Sequence, residues 1–221
     1  MSITAALAVL VKDARCELRS KQSLSAVMLF GVTSTVAVSF TLGAMGVGSA
    51  VSATLLWVVI YFSAMAGLGR SFMHEEETQT AGLLRLAVAP ESVYLGKLAF
   101  NFVTLIALEL VTVPLFVVLM DCHVAKVGAF IALLVLGDLA LSAGATTAAA
   151  MVSRASSKGA LFAGISFPLL APALGIAIAG TDVAMSGSAT ASAASDMTLL
   201  FCYCGIVITA SLMLFRFIWE E

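Results

Sequence analysis

The sequence predicts an all-helical integral membrane protein with six transmembrane helices. Of its 221 residues, 61% are hydrophobic and 11% are charged, whereas soluble domains carry about 25% charged residues. So few charges cannot cover a water-facing surface of this size. A chain that spans a membrane must satisfy its backbone polar groups in helices or in a closed barrel. The uncharged runs are far longer than the roughly 10 residues of a barrel strand and lack period-two alternation, so helices are expected.

The first segment, residues 1–25, mixes apolar and charged positions. Four apolar residues recur at three- and four-residue spacing, namely Leu7, Leu10, Ala14 and Leu18. This spacing is typical of one face of a helix. The other faces carry the basic residues Lys12, Arg15, Arg19 and Lys21. The pattern predicts an amphipathic helix that lies on the membrane surface with its basic side toward anionic lipid.

Six apolar stretches follow, each long enough for the ~20 residues that cross the hydrocarbon core. Residues 22–69 contain no charged residue and no histidine, and they are too long for one span, so we divide them at the glycine-rich turn 43–49. The predicted spans are 26–42, 50–69, 98–120, 127–152, 159–180 and 197–217. They form one membrane domain, 26–217, followed by a short tail, 218–221.

The basic residues predict the orientation of the chain. If the N-terminus lies in the cytoplasm, all eleven Lys and Arg residues except Lys126 fall in cytoplasmic segments. Cytoplasmic loops of membrane proteins carry an excess of Lys and Arg. Both termini, the segment 1–25, the tail and the segment between spans 2 and 3 are therefore expected in the cytoplasm.

The segment 70–97 is the longest polar interruption between two spans. Its acidic residues suit the start of a helix, where negative charge meets the helix dipole, and the leucines that follow give that helix an apolar face. A short helix of this kind outside the membrane needs a protein groove or the lipid interface to cover it. The residues expected to contact a soluble partner are Arg70, Phe72, Glu75, Glu76, Glu77, Gly82, Leu83, Leu86 and Pro90.

Two carboxylic residues lie inside predicted spans, Glu109 in span 3 and Asp138 in span 4. An ionised side chain at the bilayer centre costs ~3 kcal/mol or more, so each should face protein or a water-filled cavity. Thr112 and Ser142 lie one turn away and could hydrogen-bond to them. Two interpretations remain open: a polar pathway or gating contact, and a buried polar contact between packed helices.

Spans 4 and 5 carry residues that affect helix packing. Ala140, Gly144 and Ala148 recur at four-residue spacing in span 4, which allows another helix to approach closely. Span 5 contains Pro168 and Pro172, each of which removes a backbone donor and should kink or break the helix. A broken helix suits a moving part or a cavity lining, and a static bend is the alternative.

No catalytic constellation is evident in the sequence. The only Gly-Lys pair, Gly96-Lys97, lacks the flanking residues of a phosphate-binding loop, and His74 and His123 are predicted on opposite sides of the membrane. The chain itself is therefore expected to bind no nucleotide, cofactor or metal directly. Cys122 and His123 could ligate a metal or haem at the outer surface, or belong to an ordinary loop. A net charge of −2 gives no sign of a nucleic-acid partner.

The order of these features resembles the permeases of ABC-2 type transporters and, more narrowly, the cytochrome c maturation protein B (haem exporter B) family. The stretches that carry the resemblance are 70–72, 82–90, 95–97, 109–116 and 167–172. One departure concerns the segment between spans 2 and 3. The family usually has Glu-Arg-x-Phe and then an Asp-Gly-x-Leu-Glu run, whereas here Gly69 precedes Arg70 and Ala81-Gly82-Leu83-Leu84-Arg85 replaces that run. The contact to a partner is then expected to differ in its charges.

The resemblance implies a non-catalytic permease subunit that transmits ATP hydrolysis to haem handling or export in cytochrome c maturation. ATP would bind to a separate ABC ATPase subunit, and segment 70–97 would be the coupling segment. The resemblance also implies a homodimer in the bacterial inner membrane, a haem-handling membrane protein as a partner, and haem as a substrate of the complex. Three alternatives remain open: an ABC-2 exporter of drug or lipid, an ion-coupled secondary carrier that uses Glu109 and Asp138, and a non-transporting scaffold.

Overall fold

The computed structural model describes residues 2–43, 46–70, 72, 75, 79–153, 158–188 and 190–220. Within these ranges every regular secondary-structure element is a helix, which confirms the predicted fold class. The helices are α1 (Ile3–Ser20), α2 (Gln22–Leu42), α3 (Ser49–Gly67), α4 (Ala81–Ala87), α5 (Pro90–Leu119), α6 (Val127–Val152), α7 (Lys158–Ser186) and α8 (Thr190–Glu220).

Six of these helices are long and apolar enough to cross a membrane, which confirms the predicted number of spans. The candidate spans are Leu24–Leu42, Ser49–Gly67, Pro90–Leu119, Val127–Val152, Gly159–Ser186 and Ala193–Phe217. The largest change from the predicted boundaries is in the third span, which begins at Pro90 rather than at residue 98. Ala89 is extended and Pro90 occupies the first helical turn, a position where the missing N–H of proline costs nothing.

Helix α6 lies at the centre of the bundle, and every residue from Ala140 to Ala150 is buried. Its small residues allow the neighbouring helices to approach closely. A methyl group added at Gly144 would overlap the Leu170 side chain of α7, and one added at Gly137 would overlap the Trp57 ring of α3. The small-residue stripe predicted from the sequence is thus part of the helix-packing surface.

Helix α7 differs from the interrupted span 5 that its prolines suggested. It is continuous from Lys158 to Ser186, with Pro168 and Pro172 inside it. Neighbouring helices and side chains can satisfy the backbone groups that proline leaves unpaired in a membrane bundle. The carbonyls that Pro168 and Pro172 leave without a helical donor are those of Gly164 and Pro168. The Tyr203 hydroxyl of α8 donates a hydrogen bond near them, to the Leu169 carbonyl. The prolines therefore do not divide this helix into two elements.

Helix α1 packs along the N-terminal half of α5 with a face that the apolar pattern did not indicate. Leu7 and Leu18 are exposed, whereas Val9 is buried. Gly96 of α5 makes this contact possible, because a methyl group added there would lie 2.7 Å from the Val9 Cβ atom. Leu7 and Leu18 therefore point away from the protein, whereas Leu10 and Ala14 of the predicted apolar face are half-buried. Lys12 turns inward, which corrects the expectation that the whole basic side of α1 faces lipid headgroups.

Candidate functional site

Four charged side chains from three parts of the chain meet between α1 and α5, and we call them the ion-pair junction: Lys12, Asp13, Glu75 and Lys97. The Lys97 Nζ atom lies 2.9 Å from Glu75 Oε1 and 3.3 Å from Asp13 Oδ2. The Lys12 Nζ atom lies 2.8 Å from Asp13 Oδ1 and also contacts Glu75 Oε1. The junction ties α1, the residue Glu75 between α3 and α4, and α5 to one another.

The ion-pair junction is largely removed from solvent. The Lys97 side chain is 0% exposed and that of Glu75 is 5% exposed. A buried charge without a partner costs several kcal/mol, so the two cations and two carboxylates depend on one another. Burial lowers the pKa of Lys12, but the carboxylates of Asp13 and Glu75 more than offset this and hold the pKa above its usual 10.5. Lys12 therefore carries its charge at neutral pH.

An aromatic cluster lies beside the junction. The Lys97 Nζ atom is 4.7 Å from the centroid of the Phe72 ring, within the range of a cation–π contact. The Phe72 ring centroid lies 5.7 Å from that of Phe215 and 5.9 Å from that of Trp219, both on α8. The Arg85 guanidinium of α4 lies 5.0 Å from the Trp219 ring centroid. These contacts connect the junction and α4 to the last helix.

Helix α4 turns two leucines away from the protein, and we call them the exposed leucine pair. Leu83 is 71% exposed and Leu86 is 89% exposed, whereas Leu84 packs against the hydrophobic core. Apolar side chains grouped on one ordered surface are typical of a site that another molecule covers. Gly82, on the same turn as Leu83, is also exposed and adds no side chain to this surface.

The structure divides the residues predicted to contact a partner into two groups. The exposed leucine pair is available to another molecule. Phe72 and Glu75 are buried, which corrects the expectation that these two residues contact a soluble partner. The Glu75 carboxylate pairs with Lys12 and Lys97 of this chain instead. Arg70 is half-buried and Pro90 begins α5. Glu76 and Glu77 lie outside the described residues, as does His74.

Sequence reasoning missed Lys97 and Asp13 as members of this site. Lys97 is separated from Asp13 by 84 residues along the chain and from Glu75 by 22. One signal was present, because a lysine inside an otherwise apolar helix needs a negative partner. The identity of that partner depends on the packing of α1 on α5, which no local pattern indicates.

The two intramembrane carboxyl groups, Glu109 of α5 and Asp138 of α6, lie at one level of the interface between these helices. Asn101 Nδ2 donates to Thr146 Oγ1 at 2.9 Å, and Glu109 lies eight residues after Asn101 as Asp138 lies eight residues before Thr146. Both side chains are buried. The hydroxyl groups of Thr112 and Ser142, which the sequence suggested as partners, do not hydrogen-bond to these carboxyl groups. The Thr112 hydroxyl donates to the Leu108 carbonyl at 2.9 Å, and Ser142 Oγ has no hydrogen-bond partner among the described residues. Neither carboxyl group is held by a hydroxyl of its own helix, and the two lie opposite each other in the register of α5 and α6, an arrangement that sequence reasoning did not predict.

Cys122 and His123 lie at the other end of the bundle, in the connection between α5 and α6. They line a cavity of about 430 Å³ together with residues that include Met120, Asp121 and Met185. The connection is held against the end of α7 by hydrogen bonds from the backbone N–H groups of residues 125 and 126 to the carbonyls of residues 185 and 184. Both interpretations of Cys122 and His123, an ordinary loop and a metal or haem site, remain open.

Comparison with known proteins identifies the chain. The sequence model of the family described as CcmB protein matches residues 4–218, a range that contains all six candidate spans. No curated protein matches the chain. Membership of this family decides between the functions left open by the sequence, and it implies association with an ABC ATPase, CcmA. The chain belongs to the CcmB protein family and is the non-catalytic, multi-pass permease component of the cytochrome c maturation ABC transporter, which acts in haem export.

Proposed function

We propose that α4 is the element through which this permease contacts its ATPase, with the exposed leucine pair as the apolar anchors. The observation that carries the proposal is the exposure of Leu83 and Leu86 on an ordered helix outside the candidate spans. Apolar anchors buried at the centre of an interface contribute more to affinity than charges on its rim. The half-buried Arg70 and the exposed Gly82 would lie at the edge of this contact.

The connection from α4 to the membrane supports a role in transmission. Only Val88 and Ala89 separate α4 from α5, which is 30 residues long and therefore about 45 Å in length. The ion-pair junction links the same region to α1 through Glu75 and Lys97. A displacement of α4 by the ATPase would consequently move the start of α5 together with α1, and α5 would carry the movement across the membrane.

The proposal includes an orientation and an assembly. We place α4 and both termini in the cytoplasm of a bacterium, with the spans in the inner membrane, because Lys126 alone among the Lys and Arg residues falls on the outer side. Two copies of this chain would pair with two ATPase subunits, with ATP bound to those subunits. A haem-handling membrane protein would be a further partner, and haem the substrate of the complex.

The contact is tested by replacing both leucines with aspartate. The Leu83→Asp, Leu86→Asp double variant is expected to lower the amount of ATPase that copurifies in mild detergent at least tenfold, because it puts two charges where apolar anchors are required. The Leu83→Met, Leu86→Met variant is the control, and its copurification should match the wild type. If the aspartate variant retains the wild-type ratio of ATPase, the leucines rest on lipid headgroups and the proposal is wrong.

The orientation is tested by labelling cysteines in intact cells with a membrane-impermeant maleimide. Cys122 is half-buried at one end of the bundle, and Cys16 is exposed on α1 at the other. We expect the reagent to modify Cys122 but not Cys16, and to reach Cys16 only after the membrane is permeabilised. A Cys16→Ser variant controls for the assignment of the label. Modification of Cys16 in intact cells would reverse the orientation and remove α4 from the cytoplasm.

A further inference from the structure

The interface between α5 and α6 contains several buried polar atoms without a hydrogen-bond partner among the described residues. They are Asn101 Oδ1, Glu109 Oε1, Asp138 Oδ1, Asp138 Oδ2 and Ser142 Oγ. Buried polar groups in proteins are almost always paired, and each exception requires an explanation. Three of these five atoms belong to the two carboxyl groups, which indicates a ligand that supplies a hydrogen bond between those groups.

The register of the two helices brings these atoms together. Asn101 Nδ2 donates to Thr146 Oγ1 at 2.9 Å. Glu109 lies eight residues after Asn101, and Asp138 lies eight residues before Thr146, so two antiparallel helices place the carboxyl groups at the same level. Ser142 is four residues from both Asp138 and Thr146, so it lies on the same face of α6 between them. The Ser142 hydroxyl, which is fully buried, therefore lies next to the carboxyl pair and not on a separate surface.

In the part of the chain that the structure describes, no cation forms an ion pair with either carboxyl group. Helices α2 and α3 contain no charged residue, and the charged residues of α7 and α8 lie toward the helix ends. The Cys204 thiol of α8 donates to the Leu136 carbonyl at 3.5 Å. From α3, the Trp57 Nε1 atom donates to Thr181 at 2.9 Å and is not available to Asp138. Two ionised carboxylates in contact would repel each other in a medium that also disfavours each charge.

We propose that Glu109 and Asp138 form a proton-binding site inside the membrane. A proton shared by the two groups converts one carboxylate into a hydroxyl donor, so that it can hydrogen-bond to the other. The bond fastens α5 to α6 at mid-span, and loss of the proton sets like charges against each other and loosens the same contact. This inference concerns the membrane interior and does not depend on the contact between α4 and the ATPase.

Chemical labelling of the purified permease–ATPase complex tests the site. The hydrophobic reagent dicyclohexylcarbodiimide modifies carboxyl groups that carry a proton. We expect the modification, located by mass spectrometry, on Glu109 or Asp138, with less modification at higher pH and none on Asp182. The side chain of Asp182 is the control, because it is hydrogen-bonded to Ser49 near the end of α7. Protection by sodium ions at constant pH would show a metal cation in place of the proton and overturn the proposal.

The thermal stability of two variants provides a second measurement that does not depend on access of the reagent. Glu109→Gln supplies an amide donor to Asp138, whereas Glu109→Ala supplies none. The proposal predicts a midpoint of unfolding close to that of the wild type for Glu109→Gln and a clearly lower midpoint for Glu109→Ala, with Asp182→Asn as the matched control. Equal midpoints for the Gln and Ala variants would overturn the proposal.

Discussion

Replacing Lys97 with methionine is expected to lower the free energy of unfolding by about 3–5 kcal/mol. Methionine fills nearly the same volume, so the effect comes from charge. Without Lys97, the carboxylates of Asp13 and Glu75 share the single amine of Lys12, whose side chain is 42% exposed. Removal of one partner from a buried ion pair leaves an uncompensated charge. The measurement is equilibrium unfolding of the purified subunit in mixed detergent micelles.

Two further variants separate the loss of a buried charge from the loss of any lysine or arginine. Arg19→Met removes an exposed cation of α1 and should change the free energy of unfolding by no more than about 0.5 kcal/mol. Adding Glu75→Gln to Lys97→Met removes a negative charge as well and should restore part of the loss. Equal stability of the Lys97→Met and Arg19→Met variants would show that the ion-pair junction contributes nothing.

Replacing Gly137 with leucine is expected to prevent the close packing of α3 on α6. A single methyl group at this position already overlaps the Trp57 ring, which is completely buried and has no free space to enter. Overpacking of a filled core costs about 1–3 kcal/mol or more, and a leucine adds three carbon atoms beyond that methyl group. We expect little folded protein in the membrane, measured as the monodisperse fraction in size-exclusion chromatography.

Gly205 of α8 provides the matched control for Gly137. It also lies within a span, but a methyl group added there would meet no atom within 4 Å. The Gly205→Leu variant should accumulate and elute as the wild type does, because its side chain points into open space rather than into a packed interface. A Gly137→Leu protein with the same yield and elution profile would mean that Trp57 moves aside at little cost.

The spans were predictable because length and lack of charge are local properties of the sequence. Which face of a helix meets protein was not predictable for α1. Lipid tails are as apolar as a leucine side chain, so lipid covers the exposed leucines of α1 as well as protein would. The close contact of Val9 with Gly96 determines which face of α1 packs on the protein. The same reasoning explains why Val9 is buried and Leu7 is not.

The candidate site was predictable only in part. An apolar run after a group of acids indicated a short exposed helix, and the exposure of Leu83 and Leu86 agrees with that expectation. Glu75 was placed on the surface because an acid outside a span is normally solvated. Glu75 is buried because its carboxylate pairs with Lys97, and the position of Lys97 depends on how the whole helix bundle packs. Likewise, Glu109 and Asp138 were recognised separately, but their pairing depends on the register of α5 against α6.

The aromatic cluster has a consequence for the order in which the protein is completed during synthesis. Phe72 and Arg85 leave the ribosome long before Phe215 and Trp219, which contact them from α8. The region around α4 therefore acquires its full packing only after the last span has been inserted. If α4 is the ATPase contact that we propose, a nascent or truncated chain that lacks α8 would present an incomplete surface to the ATPase and would bind it less well than the finished subunit does.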